Sequence, residues 1–277
     1  MPNCISCGRE LPSPHEPHSI CPQCRAAIIA RAQSSAPLPA GRSIAFKRVP
    51  VTSAIIAANT LVFIAMARAG ASPIEPSVAD LVRWGANNGL ETLLAQPWRM
   101  FTSTYVHIGI VHIGLNMWCL WNLGILAEQI FDRWTYFLTY TFCGLAGSLL
   151  SLALHPLRTG AGASGAIFGL AGALISALYL GRLPLHPGAL KSTLKSLVSF
   201  AGYNLFFGAV IPAIDNSAHI GGLITGLALG AVLAPHLTSP REERSAWNRW
   251  VFTVAAAVFL MAYYFVRRAA EHFVLHR

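Results

Sequence analysis

The chain of 277 residues is 54% apolar and only 11% charged, far below the about 25% charged residues of a soluble globular domain. That shortfall excludes a water-clothed globule, the long apolar runs exclude disorder, and a polytopic membrane protein is left. The net charge of +9, from 20 Lys+Arg against 11 Asp+Glu, is scattered through short loops between apolar runs; it suits helices oriented against a lipid bilayer, and no nucleic acid is expected as a partner.

Residues 1–24 carry Cys4, Cys7, Cys21 and Cys24, two CxxC pairs with thirteen residues between them. Four thiolates at this spacing can close around a tetrahedral ion, so the segment reads as a zinc-ribbon-like module with a structural Zn2+, and Gly8 suits the tight turn after the first pair. Disulfide pairing is the alternative, opposed by the reducing cytosol in which the N-terminus is expected. Such a ribbon more often serves stability or contact with a protein partner than catalysis, and His15 and His18 are spare ligands. Residues 25–47, rich in Ala, Ser and Pro, read as a linker. The first residues hold cysteines, prolines and charge where a cleavable signal needs apolar ones, so the first hydrophobic run is expected to be an uncleaved anchor.

Seven such runs follow, at about residues 51–67, 108–127, 134–154, 163–180, 196–211, 218–234 and 250–266. Each is near the length a helix needs to cross about 30 Å at about 1.5 Å per residue. With the N-terminus in the cytosol, Arg42, Lys47, Arg48, Arg133, Arg182, Lys191, Lys195, Arg241, Arg244 and Arg249 fall inside, against Arg68, Arg83, Arg99, Arg158, Arg267, Arg268 and Arg277 outside. This bias favours a multi-pass protein of the cell's inner membrane with a cytosolic N-terminus. Arg267 and Arg268 argue the other way, so the inverted topology stays open. The connection over about 68–106 contains Trp84, Pro97, Trp98 and Arg99. Its length and aromatic content suggest a loop resting on the membrane interface, with a passive amphipathic linker as the other reading.

Polar residues inside spans are costly in lipid and point to chemistry. Ser164 lies in Gly162-Ala163-Ser164-Gly165 at the start of the fourth run, and His219 in Ala218-His219-Ile220-Gly221-Gly222 at the start of the sixth. His112 and Asn116, four residues apart and so on one helical face, lie near the start of the second. Spans two, four and six run in one direction, which puts all four residues at similar depth. A serine, a histidine to take its proton and two further donors suggest nucleophilic acyl transfer within the membrane. Ser164 needs His219 as base; backbone N–H groups at its helix start can join His112 and Asn116 around an oxyanion. Gly165, Gly169 and Gly172, facing Gly222, Gly226 and Gly230, would let the two backbones approach closely, although generic packing explains the glycines alone.

These residues carry a resemblance to the rhomboid intramembrane serine proteases. The matching elements are Trp98-Arg99, the His112-xxx-Asn116 pair preceded by His107, Glu128, Gly162-Ala163-Ser164-Gly165 and Ala218-His219-Ile220-Gly221-Gly222, in the family order across about residues 47–237. The resemblance implies an all-α polytopic membrane protein with a six-helix core over 48–237. The remainder, 238–277, supplies a cytosolic loop, a seventh C-terminal transmembrane helix and a tail. It implies a dyad of Ser164 and His219, an oxyanion hole from His112, Asn116 and the Ser164 backbone, and supporting roles for Trp98, Arg99, His107, Phe168, Gly162 and Gly165. Phe168 stands where many relatives carry a tyrosine that stacks on the catalytic histidine. Asp215, one turn before His219, is expected to face the loop rather than complete a triad. His107 reads equally as structural or interfacial, and Cys119 and Cys143 as small buried hydrophobes.

The reading is a serine endopeptidase that cleaves transmembrane protein substrates near the outer face, with no cofactor for catalysis. A catalytically silent relative that binds transmembrane helices and controls their trafficking or degradation is the rival. A transporter would need charged groups along a continuous pathway, whereas Glu128 and the other charges lie near span ends.

Overall fold

The computed structural model describes residues 3–4, 6–11, 20–27, 49–211 and 214–276. Most of the expected linker, with His15, His18, Arg42, Lys47, Arg48 and Arg277, lies outside them. The chain divides into two units, residues 1–48 and 49–277.

In the first unit a tight hairpin brings Asn3 opposite Glu10. The Cys4 amide donates to the Arg9 carbonyl and the Gly8 amide to the Cys4 carbonyl. Gly8 has φ +72° with open space around it, so the turn needs a residue tolerant of left-handed backbone rather than a small one. A helical segment begins at residue 22. Cys4 and Cys21 are buried, with Leu11, in a small core of their own.

The second unit is helical. Its elements are α1 (Pro50–Arg68), α2 (Val78–Arg83), β1 (Asn87–Asn88), α3 (Gly89–Leu94), α4 (Arg99–Thr102), α5 (Ile110–Ile130), α6 (Arg133–Leu154), β2 (Thr159–Gly160), α7 (Ser164–Leu180), α8 (Pro187–Val210), α9 (Asn216–Leu233) and α10 (Arg241–Leu275). Local chemistry sets the starts. Proline opens α1 and α8, Asp132 caps the amides of Trp134 and Thr135 in α6, and Asp215 caps those of Ser217 and Ala218 in α9, each satisfying donors with no intrahelical partner.

Among the described residues five helices are long and apolar enough to cross a bilayer: α1, α5, α6, α9 continued to His236, and α10. The other two expected spans differ in length. Helix α7 has 17 residues, a rise of about 26 Å, and is buried at every position from Gly165 to Leu174, as suits an apolar helix surrounded by protein rather than lipid. Helix α8 starts nine residues before the expected run, because His186 and Pro187 set its beginning and Lys191 and Lys195 are accommodated in its first, largely exposed turns. Helix α10 has 35 residues, against about 17 expected from hydropathy. Glu242 and Glu243 favour its N-terminal turn, and Arg267 and Arg268 both pair with Glu271 near the other end, so polar residues prolong the helix on both sides of the apolar stretch.

The connection after α1 carries three short helices, a strand and a 3-10 turn at Ser103–Tyr105. A capping box between Ser77 and Asp80 starts α2. Arg99 is 7% exposed; its Nη1 donates to the Val82 and Ala86 carbonyls, its Nε to Gln96 Oε1, and its guanidinium lies 4.7 Å from the Trp98 ring centre. One cation thus gathers the ends of α2 and α4. Strand β1 pairs antiparallel with β2, Asn87 opposite Gly160 and Asn88 opposite Thr159, which ties the loop to the segment leading into α7.

Glycine brings the central helices together. A Cβ on Gly222 would lie 1.9 Å from the Gly165 carbonyl oxygen, one on Gly226 1.8 Å from that of Gly169, and one on Gly230 2.3 Å from that of Ala173. Helices α7 and α9 therefore meet backbone to backbone over three turns, the geometry that small residues permit within a membrane.

Candidate active site

The approach of α7 and α9 brings their first turns together. Ser164 Oγ lies 2.9 Å from His219 Nε2, a hydrogen bond between residues 55 positions apart in the chain. His219 is 7% exposed, and its ring stacks on Phe168, with centroids 4.2 Å apart and planes 10° from parallel. Phe168 in turn touches Phe200 of α8 at 5.6 Å. Packing on Phe168 thus orients the imidazole, whose Nδ1 has no hydrogen-bond partner among the described residues.

Asp215 does not reach that nitrogen. One carboxylate oxygen takes the two capping amides of α9, and the other accepts from the Ser151 hydroxyl of α6. Its carboxylate is therefore turned into the helix bundle, where it lines the cavity, and not toward the loop as expected. The pull comes from the capping amides and from Ser151.

His112 and Asn116 project from α5 toward the same place. The Ile108 amide donates to His112 Nδ1 at 3.2 Å, which fixes the tautomer and leaves Nε2 carrying a proton. Asn116 is 6% exposed and spends one amide hydrogen on the His112 carbonyl, 2.9 Å away, with the other hydrogen available. Gly162 is required twice over. Its φ is +131°, and a Cβ there would sit 2.6 Å from His112 Cε1 and 2.9 Å from Nε2, so any side chain would push the imidazole away. Its amide donates to the Ser103 carbonyl at 2.9 Å, anchoring the turn that delivers Ser164. Gly165 faces the Ala218 carbonyl, where a Cβ would come within 3.1 Å.

His107 is fully buried, its ring 5.2 Å from that of His112. Burial, then the neighbouring His112, push its pKa down to about 3, so it is a neutral packing partner of His112. Trp98 is half exposed and, with Arg99, belongs to the loop rather than to the dyad.

Ser164, His219, His112 and Asn116 share one cavity of about 450 Å³. Its wall also includes Ser103, Ser148, Ser151 and Asn87, which sequence reasoning missed. The two serines of α6 left a usable signal, since intramembrane serines three residues apart share a helical face; Asn87 in a two-residue strand left none. Cys143 is buried, whereas Cys119 is partly exposed and lines the cavity.

A separate cluster holds the four N-terminal cysteines, whose sulfurs all lie within 4.8 Å of one another. Tetrahedral zinc with bonds of about 2.3 Å separates its sulfurs by about 3.8 Å, and Cys7 Sγ and Cys21 Sγ are 3.8 Å apart. The Cys21 amide donates to Cys4 Sγ, and backbone donors from Cys21 and Ser6 hold the Cys4 thiol down at about 6. The donor set fits a metal ion.

Comparison with known proteins agrees with the architecture. The chain is 34% identical over 182 residues to "Rhomboid protease GluP" of Bacillus subtilis (strain 168), covering 66% of this chain and 34% of that one. It is 35% identical over 204 residues to "RHOMBOID-like protein 6, mitochondrial" of Arabidopsis thaliana, covering 68% and 64%. With "Rhomboid protease AarA" of Providencia stuartii it shares 29% over 219 residues, 70% of this chain and 75% of that one. The chain thus spans about a third of the first relative and under two thirds of the second. The family model described as "Rhomboid domain" matches residues 94–236, just over half of the sequence and all of the cavity's dyad and donors. This polytopic helical membrane protein, with its four-cysteine N-terminal extension, belongs to the rhomboid family.

Proposed function

We propose that the protein is an intramembrane serine endopeptidase that cleaves membrane-anchored proteins in or near their transmembrane segments. The observation that carries the reading is the 2.9 Å contact between Ser164 Oγ and His219 Nε2 in a cavity that also holds His112 and Asn116. His219 Nε2 takes the Ser164 hydroxyl proton as Oγ attacks the scissile carbonyl, and later returns it to the leaving amine. The oxyanion receives His112 Nε2–H, the remaining Asn116 amide hydrogen and the Ser164 backbone N–H at the start of α7. A helical segment hides its carbonyl carbons, so substrates with helix-weakening residues are preferred.

The same proposal assigns residues 1–24 to a module holding structural Zn2+ for stability or a protein partner, 25–47 to a linker and 48–237 to the protease core. The rest, 238–277, becomes a cytosolic loop, the seventh span and a tail. The loop charges support a cytosolic N-terminus in the cell's inner membrane, with the cavity opening toward the outer face.

A serine-directed fluorophosphonate probe tests the reading on the purified full chain. Wild type should label, and Ser164→Ala and His219→Ala should not. A folded wild type that labels no better than Ser164→Ala would overturn it in favour of a silent protein that binds transmembrane helices.

A further inference from the structure

The dyad, its donors and the glycine seam make no use of α10, yet this helix is more than a lipid-facing addition. Its N-terminal part lies along α6, where Asn248 Nδ2 donates to Thr135 Oγ1 at 2.7 Å and Phe252 stacks on Phe142 at 5.9 Å. Its C-terminal part meets the first loop. Tyr263 and Ala270 pack with Leu90, Leu93 and Leu94 of α3 and with Leu152 of α6, and Tyr263 Oη donates to the Leu93 carbonyl at 2.8 Å.

That bond is informative because of what α3 is. A helix of six residues does not hold itself together and ends in carbonyls with no intrahelical donor. The Glu91 carbonyl is taken by the amides of Ala95 and Gln96; the Leu93 carbonyl is taken by Tyr263. From α3 the connections run toward the nucleophile. The Asn88 amide donates to Thr92 Oγ1 at 2.8 Å, and Asn87 and Asn88 pair with Gly160 and Thr159. Gly160 is four residues before Ser164, and the intervening Gly162 is itself anchored to the loop at Ser103.

We propose that Tyr263 is a positioning residue: by capping α3 it makes α10 a brace for the β1–β2 pair, and so holds the turn that presents Ser164 to His219. This rests on the protease reading for its effect on reactivity, but not for its effect on the loop. The test compares Tyr263→Phe, which loses only the hydroxyl, with Tyr264→Phe, whose parent side chain is 57% exposed, in the full chain. Amide hydrogen exchange over 87–94 and 159–162 and fluorophosphonate labelling at several probe concentrations are both measured. For Tyr263→Phe, exchange in both segments should quicken, and the maximal labelling rate should fall about fivefold, the equivalent of about 1 kcal/mol for one hydrogen bond, at an unchanged half-saturating concentration. Tyr264→Phe should move neither. Unaltered exchange over 159–162 overturns the brace, as does quickened exchange with an unaltered labelling rate. If wild type shows no Ser164-dependent labelling, the protease reading fails and exchange alone decides the brace.

Discussion

Replacing Gly226 by alanine probes the link between helix packing and the dyad. The added methyl would sit 1.8 Å from the Gly169 carbonyl oxygen, 2.6 Å from its carbon and 2.8 Å from its Cα. All three are backbone atoms, so no rotamer change relieves the clash, and α7 and α9 must part locally by about 1.5 Å to regain ordinary contact. Gly226 is seven residues from His219, about 10 Å along a helix. Over that distance two stiff helices transmit much of the displacement, and the 2.9 Å bond between Ser164 and His219 opens beyond hydrogen-bond range. Overpacking of this kind costs about 1–3 kcal/mol, and loss of a general base about a hundredfold or more in rate. Gly226→Ala should therefore lower the thermal midpoint in detergent and reduce fluorophosphonate labelling at least about a hundredfold. Gly202 of α8 has open space where a Cβ would go, so Gly202→Ala should label like wild type. Labelling of Gly226→Ala within about twofold of wild type at an unchanged midpoint would show that the two backbones do not meet in this way, and the argument from the glycine seam would fail with it.

Three further outcomes are expected. Asn116→Ala should cut the labelling rate about a hundredfold while leaving the midpoint nearly unchanged, since it removes the proposed oxyanion donor, whose other hydrogen bond is local to α5; a rate near wild type would remove Asn116 from the proposed site. His107 has its folded-state pKa lowered to about 3 against about 6.5 unfolded, so between these values the unfolded chain binds more protons and stability falls as pH falls, by up to about 1.4 kcal/mol per pH unit. Midpoints measured from pH 7 to 4.5 should drop more steeply for wild type than for His107→Gln, and equal slopes would refute the assignment. The purified chain should contain one zinc per molecule by elemental analysis, released by a strong chelator and absent in Cys4→Ser/Cys21→Ser, whose two sulfurs are the buried ones of the four; a metal-free wild type in reducing buffer would refute the module.

Much of this architecture is legible in the sequence because lipid imposes simple rules. Hydropathy finds the spans, counting them places Ser164, His219, His112 and Asn116 at one depth, and glycines spaced by four mark the faces on which α7 and α9 meet. The rules fail where they stop applying. Helix α8 begins at a proline and carries two lysines before its apolar part, so hydropathy misjudges its start by nine residues. Helix α10 runs on through charged residues that water tolerates. Asp215 looked like a loop residue because its partner, Ser151, is 64 positions away on another helix.

The first loop was the least legible part, and the reason is physical. Its order comes from side chains that satisfy backbone carbonyls: Arg99 those of Val82 and Ala86, Thr102 that of Gly85, Tyr263 that of Leu93. Such bonds need only one donor at one place, and they leave no periodic trace in composition or hydropathy. Two kinds of constraint therefore meet at Ser164. The seam between α7 and α9 is written as a repeat of glycines and fixes how near the helices come. The loop is written as single donors scattered along the chain from Arg99 to Tyr263, and it fixes where the turn before α7 begins. Ser164, standing at the junction of that turn and that helix, is held by both.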